Sequence, residues 1–92
     1  VIDLRTVSPW DKETVFASVA KTGRCVIAHE AVTEFGVGAE IAATLSNEFF
    51  GKLKGPVIRL GAPYAPVPFS KPLESAYAPN AKRIADAVIS LK

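Results

Sequence analysis

Four residues, Cys25-Val26-Ile27-Ala28, do most to limit what this chain can become. The run is short, apolar and β-branched, the pattern of a strand (25–29) buried on both faces of a sheet. The sequence then turns polar at His29 and Glu30, passes through a loop and enters a long helical pattern at Gly36 and Gly38. Ile41, Leu45 and Phe49 recur there at i, i+4 and i+8, flanked by Ala42 and Leu53, and Ala39, Ala42 and Ala43 are small enough to let the helix lie close to a sheet. Gly55-Pro56 is expected to stop that helix, and Val57, Ile58 and Leu60 to form the next strand, with Arg59 at a polar position. Strand, helix and strand in this order imply a parallel crossover, so the fold class is α/β.

The flanks extend the alternation. Residues 1–7 read as a first strand. A helix follows, for which Ser8 can cap with Pro9 in the first turn and Asp11 completing a capping box; in a second frame Asp11 is itself the cap. Val15, Phe16, Val19 and Ala20 form its apolar stripe, Lys12, Glu13 and Lys21 its wet side, and Gly23 ends it in the left-handed conformation. Residues 61–79 differ in kind. Five of the seven prolines fall there, no period survives, and Tyr64, Val67, Phe69, Leu73 and Tyr77 are too apolar for a free linker. The expectation is an extended arm packed on its own domain or a neighbour. Asn80 then caps a last helix with Ile84, Val88 and Leu91 as its stripe.

Composition narrows function. Ninety-two residues make one small domain. The net charge is only +2, without a basic run or interleaved aromatics, so no nucleic-acid partner is expected. No apolar stretch reaches membrane-spanning length and nothing resembles a signal peptide, so no membrane partner is expected either. The single cysteine, Cys25, reads as a buried, inert thiol in an intracellular protein. Methionine is absent and the chain opens directly on a strand-like run, so a piece of a longer polypeptide is expected.

The chemistry-bearing motifs are thin. His29-Glu30 lacks the second histidine that a zinc helix needs, since Thr33 stands in its place, and no nucleophile or metal partner accompanies it. A histidine bonded to backbone, or held at an interface, is the simpler assignment. Gly36-Val37-Gly38 is half of a dinucleotide fingerprint: Ile41 occupies the third glycine position and Glu40 would repel phosphate in the first turn. These glycines read as the approach to a tightly docked helix. Trp10 reads as a packing residue, and Glu48 and Asp86 as acids on exposed helix faces.

The elements V-I-D-L-R-T at 1–6, P-W-D at 9–11, K-T-G-R at 21–24, H-E-A at 29–31, F-G-V-G-A-E-I at 35–41 and P-V-P-F at 66–69 occur in the order and spacing of one known family. The whole chain, 1–92, resembles the C-terminal, transketolase-like domain of the β subunit of thiamine-diphosphate-dependent 2-oxo acid dehydrogenases. P-W-D, K-T-G-R and H-E-A look like the branched-chain enzymes; the other motifs are shared with pyruvate and acetoin enzymes. The resemblance implies a three-layer α/β/α domain with a mostly parallel sheet of five strands, one antiparallel, here lacking the family's first strand and helix. It implies no catalytic, cofactor or metal residue in this chain. Thiamine diphosphate and Mg2+ would be held elsewhere in the parent enzyme, in the bacterial cytoplasm or the mitochondrial matrix.

The expected role is assembly within an α2β2 heterotetramer, through contact with a second β subunit and the α subunit, and docking of the basic subunit-binding domain of a dihydrolipoyl acyltransferase. Glu48, Asp86 and the carboxylate of Lys92 are the candidate docking groups; His29, Phe35, Tyr64 and Phe69 are the candidate interface residues. Thr44 and Asn47 stand where some relatives carry acids, and the last residue is a lysine. Two alternatives stay open: a flavodoxin-like ligand module using the edge from His29 to Gly38, and the same domain from transketolase or a deoxyxylulose-phosphate synthase.

Overall fold

The computed structural model describes residues 1–63 and 79–92. Its elements are α1 (Lys12–Thr22), β1 (Val26–Val32), α2 (Val37–Glu48), β2 (Ile58–Ala62) and α3 (Ala81–Ser90). β1 and β2 pair in parallel, Val26 opposite Ile58 and Ala28 opposite Leu60, which delivers the crossover expected of the sequence. Among the described residues no helix is long and apolar enough to cross a membrane.

The core lies between α1, α2 and one face of the sheet. Val15 and Val19 of α1 meet Ile41 and Leu45 of α2 and Phe49 just beyond it, with Cys25, Ile27 and Val57 packed against them. Phe16 links the layers edge-on, its ring 6.2 Å from Trp10 and 5.6 Å from Phe49. Trp10 is thus the packing residue expected. Alternation along β2 turns Ile58, Leu60 and Ala62 to the other face, where α3 packs on both strands. Ala62 is fully buried although it lies outside the α1–α2 core. The result is three layers, α/β/α.

Both end signals of α1 are the ones its sequence offers. Of the two frames, Asp11 is the cap: its carboxylate accepts the Thr14 N–H at 3.1 Å and the Thr14 hydroxyl at 2.6 Å. Gly23 closes the helix at φ 71° with its N–H on the Val19 carbonyl. These bonds, the Thr14 hydroxyl first, hold the Asp11 carboxyl below its ordinary value of 3.8. A depressed folded value means that the stabilisation is complete above 3.8 and is lost as pH falls through the lower folded value. Asp11→Ala should therefore lower the melting temperature at neutral pH, and the gap to the parent protein should close in acid. A gap that widened on acidification would refute the assignment.

Four expectations about residues 1–7, β1 and α2 are corrected. Residues 1–6 form no strand. They run beside β1 without a hydrogen-bonded ladder, only Val7 makes an isolated bridge to Trp10, and a hollow of about 480 Å³ bounded by Val1–Leu4 separates them from the sheet. An extended segment gains little without a paired neighbour. β1 extends past His29 to Val32, because pairing resumes at Val32 opposite Ala62 and the Thr33 N–H bonds the Ala62 carbonyl. β1 is also not buried on both faces, since Ala28, Glu30 and Ala31 are exposed on a sheet of two described strands. α2 stops at Glu48, ahead of Gly55-Pro56, in a turn that uses Gly51 at φ 78°.

On α3, Asn80 caps as expected, accepting the Arg83 N–H at 2.9 Å, but the buried residue is Ala87. Ile84 sits at the margin and Val88 is 46% exposed, because a helix laid on so narrow a sheet buries one thin stripe. Ala20 of α1 is likewise exposed. The arm expected at 61–79 begins as strand through Ala62, and its positions 64–78 lie outside the described residues.

Candidate functional site

His29 lies where β1 departs from regular pairing. Ala28 faces Leu60 and Val32 faces Ala62, so β1 carries two extra residues in this interval and bulges. The bulge turns the Ala31 carbonyl back onto the His29 ring, whose Nδ1 donates to it at 3.0 Å. A carbonyl only accepts, so the proton sits on Nδ1, and in the neutral ring Nε2 is left with its lone pair.

That ring is surrounded by glycine backbone. A methyl group on Gly38 would stand 2.7 Å from Nε2 and 3.3 Å from Ile27 Cγ2. One on Gly61 would stand 2.8 Å from the Ala31 carbonyl oxygen, 2.8 Å from Thr33 Oγ1 and 2.9 Å from His29 Cε1. The glycines at the start of α2 are thus the close approach to a docked helix that their spacing suggests, and the His29 ring is what lies against them. Gly61 went unnoticed at the sequence level. An isolated glycine at the end of a strand pattern was the available signal, since it marks a bulge or a close backbone contact.

This arrangement positions β1 against the start of α2. Among the described residues His29 bonds a backbone carbonyl and no carboxylate, and Glu30, next in the strand, is exposed. Burial pushes the Cys25 thiol up, which disfavours the thiolate a nucleophile needs. The described residues bring no three carboxylate, imidazole or thiol donors together for a metal.

The other candidate residues stand apart from His29. Phe35, in the loop from β1 to α2, is 94% exposed and adopts φ 63°. Glu48 is exposed at the last turn of α2, Lys92 is exposed at the end of the chain, and Asp86 faces solvent on α3 with Lys82 4.0 Å away. Tyr64 and Phe69 lie outside the described residues. Two polar ties were unforeseen in the sequence: Arg24 Nε donates to the Leu91 carbonyl at 2.8 Å, joining the end of the chain to the loop after α1, and the Arg59 guanidinium donates to the Thr33 carbonyl at 2.8 Å within the sheet.

Fold and site together define a small α/β domain in which His29 packs between β1 and the start of α2. The chain belongs to the transketolase C-terminal domain family, whose model matches residues 1–84. Over 90 residues, 98% of the chain, it is 47% identical to the 2-oxoisovalerate dehydrogenase subunit beta 2, mitochondrial, of Arabidopsis thaliana, covering 25% of that protein. It is 56% identical over 70 residues, 74% of the chain and 15% of the relative, to the mitochondrial 2-oxoisovalerate dehydrogenase subunit beta of Chaetomium thermophilum. The Pyruvate dehydrogenase E1 component subunit beta of Bacillus subtilis is 43% identical over 84 residues, 91% of the chain and 26% of that subunit. The chain thus spans about a quarter or less of the length of these relatives.

Proposed function

We propose that this chain is the assembly and docking domain of the β subunit of a 2-oxo acid dehydrogenase. The observation that carries this is the 47% identity to a 2-oxoisovalerate dehydrogenase β subunit along nearly the whole chain. The parent enzyme oxidatively decarboxylates a 2-oxo acid with thiamine diphosphate and Mg2+ and passes the acyl group to a lipoyl-bearing acyltransferase. In this proposal none of those steps uses a residue of this chain. A tethered histidine and a thiol of raised pKa support that division of labour.

The domain's part is contact. Phe35, Tyr64, Phe69 and His29 are the proposed residues of the β–β contact, beside an α subunit in the heterotetramer. Glu48, Asp86 and the Lys92 carboxylate are the proposed docking groups for the basic subunit-binding domain of the acyltransferase. From Cys25 to Gly51 the sequence has four glutamates and neither lysine nor arginine, which favours a basic partner on α2. The setting is the mitochondrial matrix in a eukaryote and the cytoplasm in a bacterium.

Glu48→Lys in the assembled enzyme should weaken capture of that subunit-binding domain about tenfold at low salt, mostly through slower association, with decarboxylation of the free 2-oxo acid unaltered. Titration calorimetry at two ionic strengths measures it. Unchanged affinity would remove Glu48 from the docking surface.

A further inference from the structure

We propose that Arg24 is a positioning residue for docking, one that fixes the end of α3 against the turn after α2 without itself meeting the partner. The inference rests on the docking role proposed above and adds the residue that holds two of its groups in register.

Three segments distant in sequence meet at the amino end of the sheet: the loop after α1, the turn after α2 and the last residues of the α3 segment. The Lys54 N–H donates to the Gly23 carbonyl at 2.8 Å, which joins the first two. Arg24 Nε donates to the Leu91 carbonyl at 2.8 Å, which joins the first to the third. The Leu91 side chain links the third back to the second, since a methyl group on Gly55 would stand 3.2 Å from its Cδ2. Glu48 and Lys92, two of the positions proposed for docking, lie next to the second and third of these segments. This end of the sheet is opposite the one at which β2 finishes and α3 begins, where Gly61, Pro63 and Asn80 share a hollow.

Thin packing makes the Arg24 bond matter. The one buried residue of α3 is Ala87, so contact with the sheet alone fixes the helix end loosely. The last carbonyls of a helix have no partner within it, and a cation at that end is favoured by the helix dipole. The guanidinium supplies donor and charge together. Its own loop holds it in turn: the Arg24 N–H donates to Thr22 Oγ1 at 3.3 Å, and Nη1 donates to the Thr22 carbonyl at 3.4 Å.

Charge gives the test its sign. The partner proposed above is basic, so Arg24 is a like charge, and removing it should tighten binding if only electrostatics counted. Positioning demands the reverse.

The measurement is titration calorimetry of the assembled enzyme with the acyltransferase subunit-binding domain, alongside melting temperatures. Arg24→Gln should weaken binding about fivefold. Lys52→Gln makes the same charge change in the exposed turn after α2 and should bind like the parent or up to about twofold tighter. Arg24→Lys keeps a donor for the Leu91 carbonyl and should return to within about twofold of the parent. Asp11→Ala, at the opposite end of α1, controls for stability: it should lower the melting temperature and leave the affinity unchanged. Binding by Arg24→Gln as tight as the parent's, or tighter, overturns the positioning role and leaves docking intact. Equal weakening in Asp11→Ala overturns it as well, because lost stability would then explain both variants. Equal weakening in Lys52→Gln does the same, since the cations would then be meeting an acidic surface directly. A parent enzyme that fails to bind the subunit-binding domain removes the docking role itself.

Discussion

Alanine at Gly61 should cost the domain about 2–3 kcal/mol, toward the upper end of what overpacking a filled interior costs. The added methyl would meet three atoms at under 3.0 Å, and two of them are oxygens that cannot simply swing away. The Ala31 carbonyl is held by the bulge and by the His29 Nδ1 proton; Thr33 Oγ1 is held toward the Ala62 carbonyl at 3.4 Å. Relief requires the β1–β2 pairing to open at its carboxyl end. Gly38→Ala is a different case. Alanine is favoured over glycine inside a helix by about 1 kcal/mol, and the opposing contact is the His29 ring, a side chain. His29→Ala should therefore rescue Gly38→Ala and leave Gly61→Ala largely uncorrected. Urea midpoints of the single and double variants, followed by Trp10 fluorescence, measure the difference. Equal rescue at both positions would mean that the ring, and not the bulge carbonyl, sets the spacing.

That contrast also marks how far the amino-acid order could be read. Local signals were legible: the Asp11 and Asn80 caps, the glycine stop at 23 and the stripe of Ile41, Leu45 and Phe49 each act over a few residues and need no knowledge of the tertiary partner. Parallel pairing followed from the alternation of elements. What escaped depends on atoms far apart in sequence. The bulge at 29–31 exists only because β1 must keep register with β2, some thirty residues on, and Gly61 is needed only because the bulge is there. Residues 1–6 have every propensity for a strand and lack the ladder that would make them one. At the candidate site the sequence displayed a single histidine ahead of a pair of glycines. A backbone bond for His29 was one of the two readings its sequence offered; that Nδ1 makes it to Ala31, and that Nε2 faces the start of α2, could come only from the fold.

The largest loss should come from Leu45→Ala, about 3–4 kcal/mol within the range found for truncating a core leucine. Leu45 has no exposed surface and sits among Val15, Val19, Ile41 and Phe49, where α1 and α2 share one interior. A domain of this size has a total stability of roughly 5–14 kcal/mol, so the loss is about a fifth to four fifths of it. The damage should spread asymmetrically. α1 reaches the sheet through this cluster, so its amides should lose hydrogen-exchange protection first, whereas β1 and β2 keep their backbone ladder and α3 its separate seat on the far face. Leu45→Met, nearly equal in volume, should cost less than about 1.5 kcal/mol, because it keeps the space filled. Ile89→Ser on α3, where the side chain is 62% exposed, should leave the isolated domain's stability almost unmoved. If Leu45→Ala and Ile89→Ser depress the urea midpoint alike, the α1–α2 interior is not what holds the layers together; if only Leu45→Ala does, the exposed apolar face of α3 is there for something other than folding.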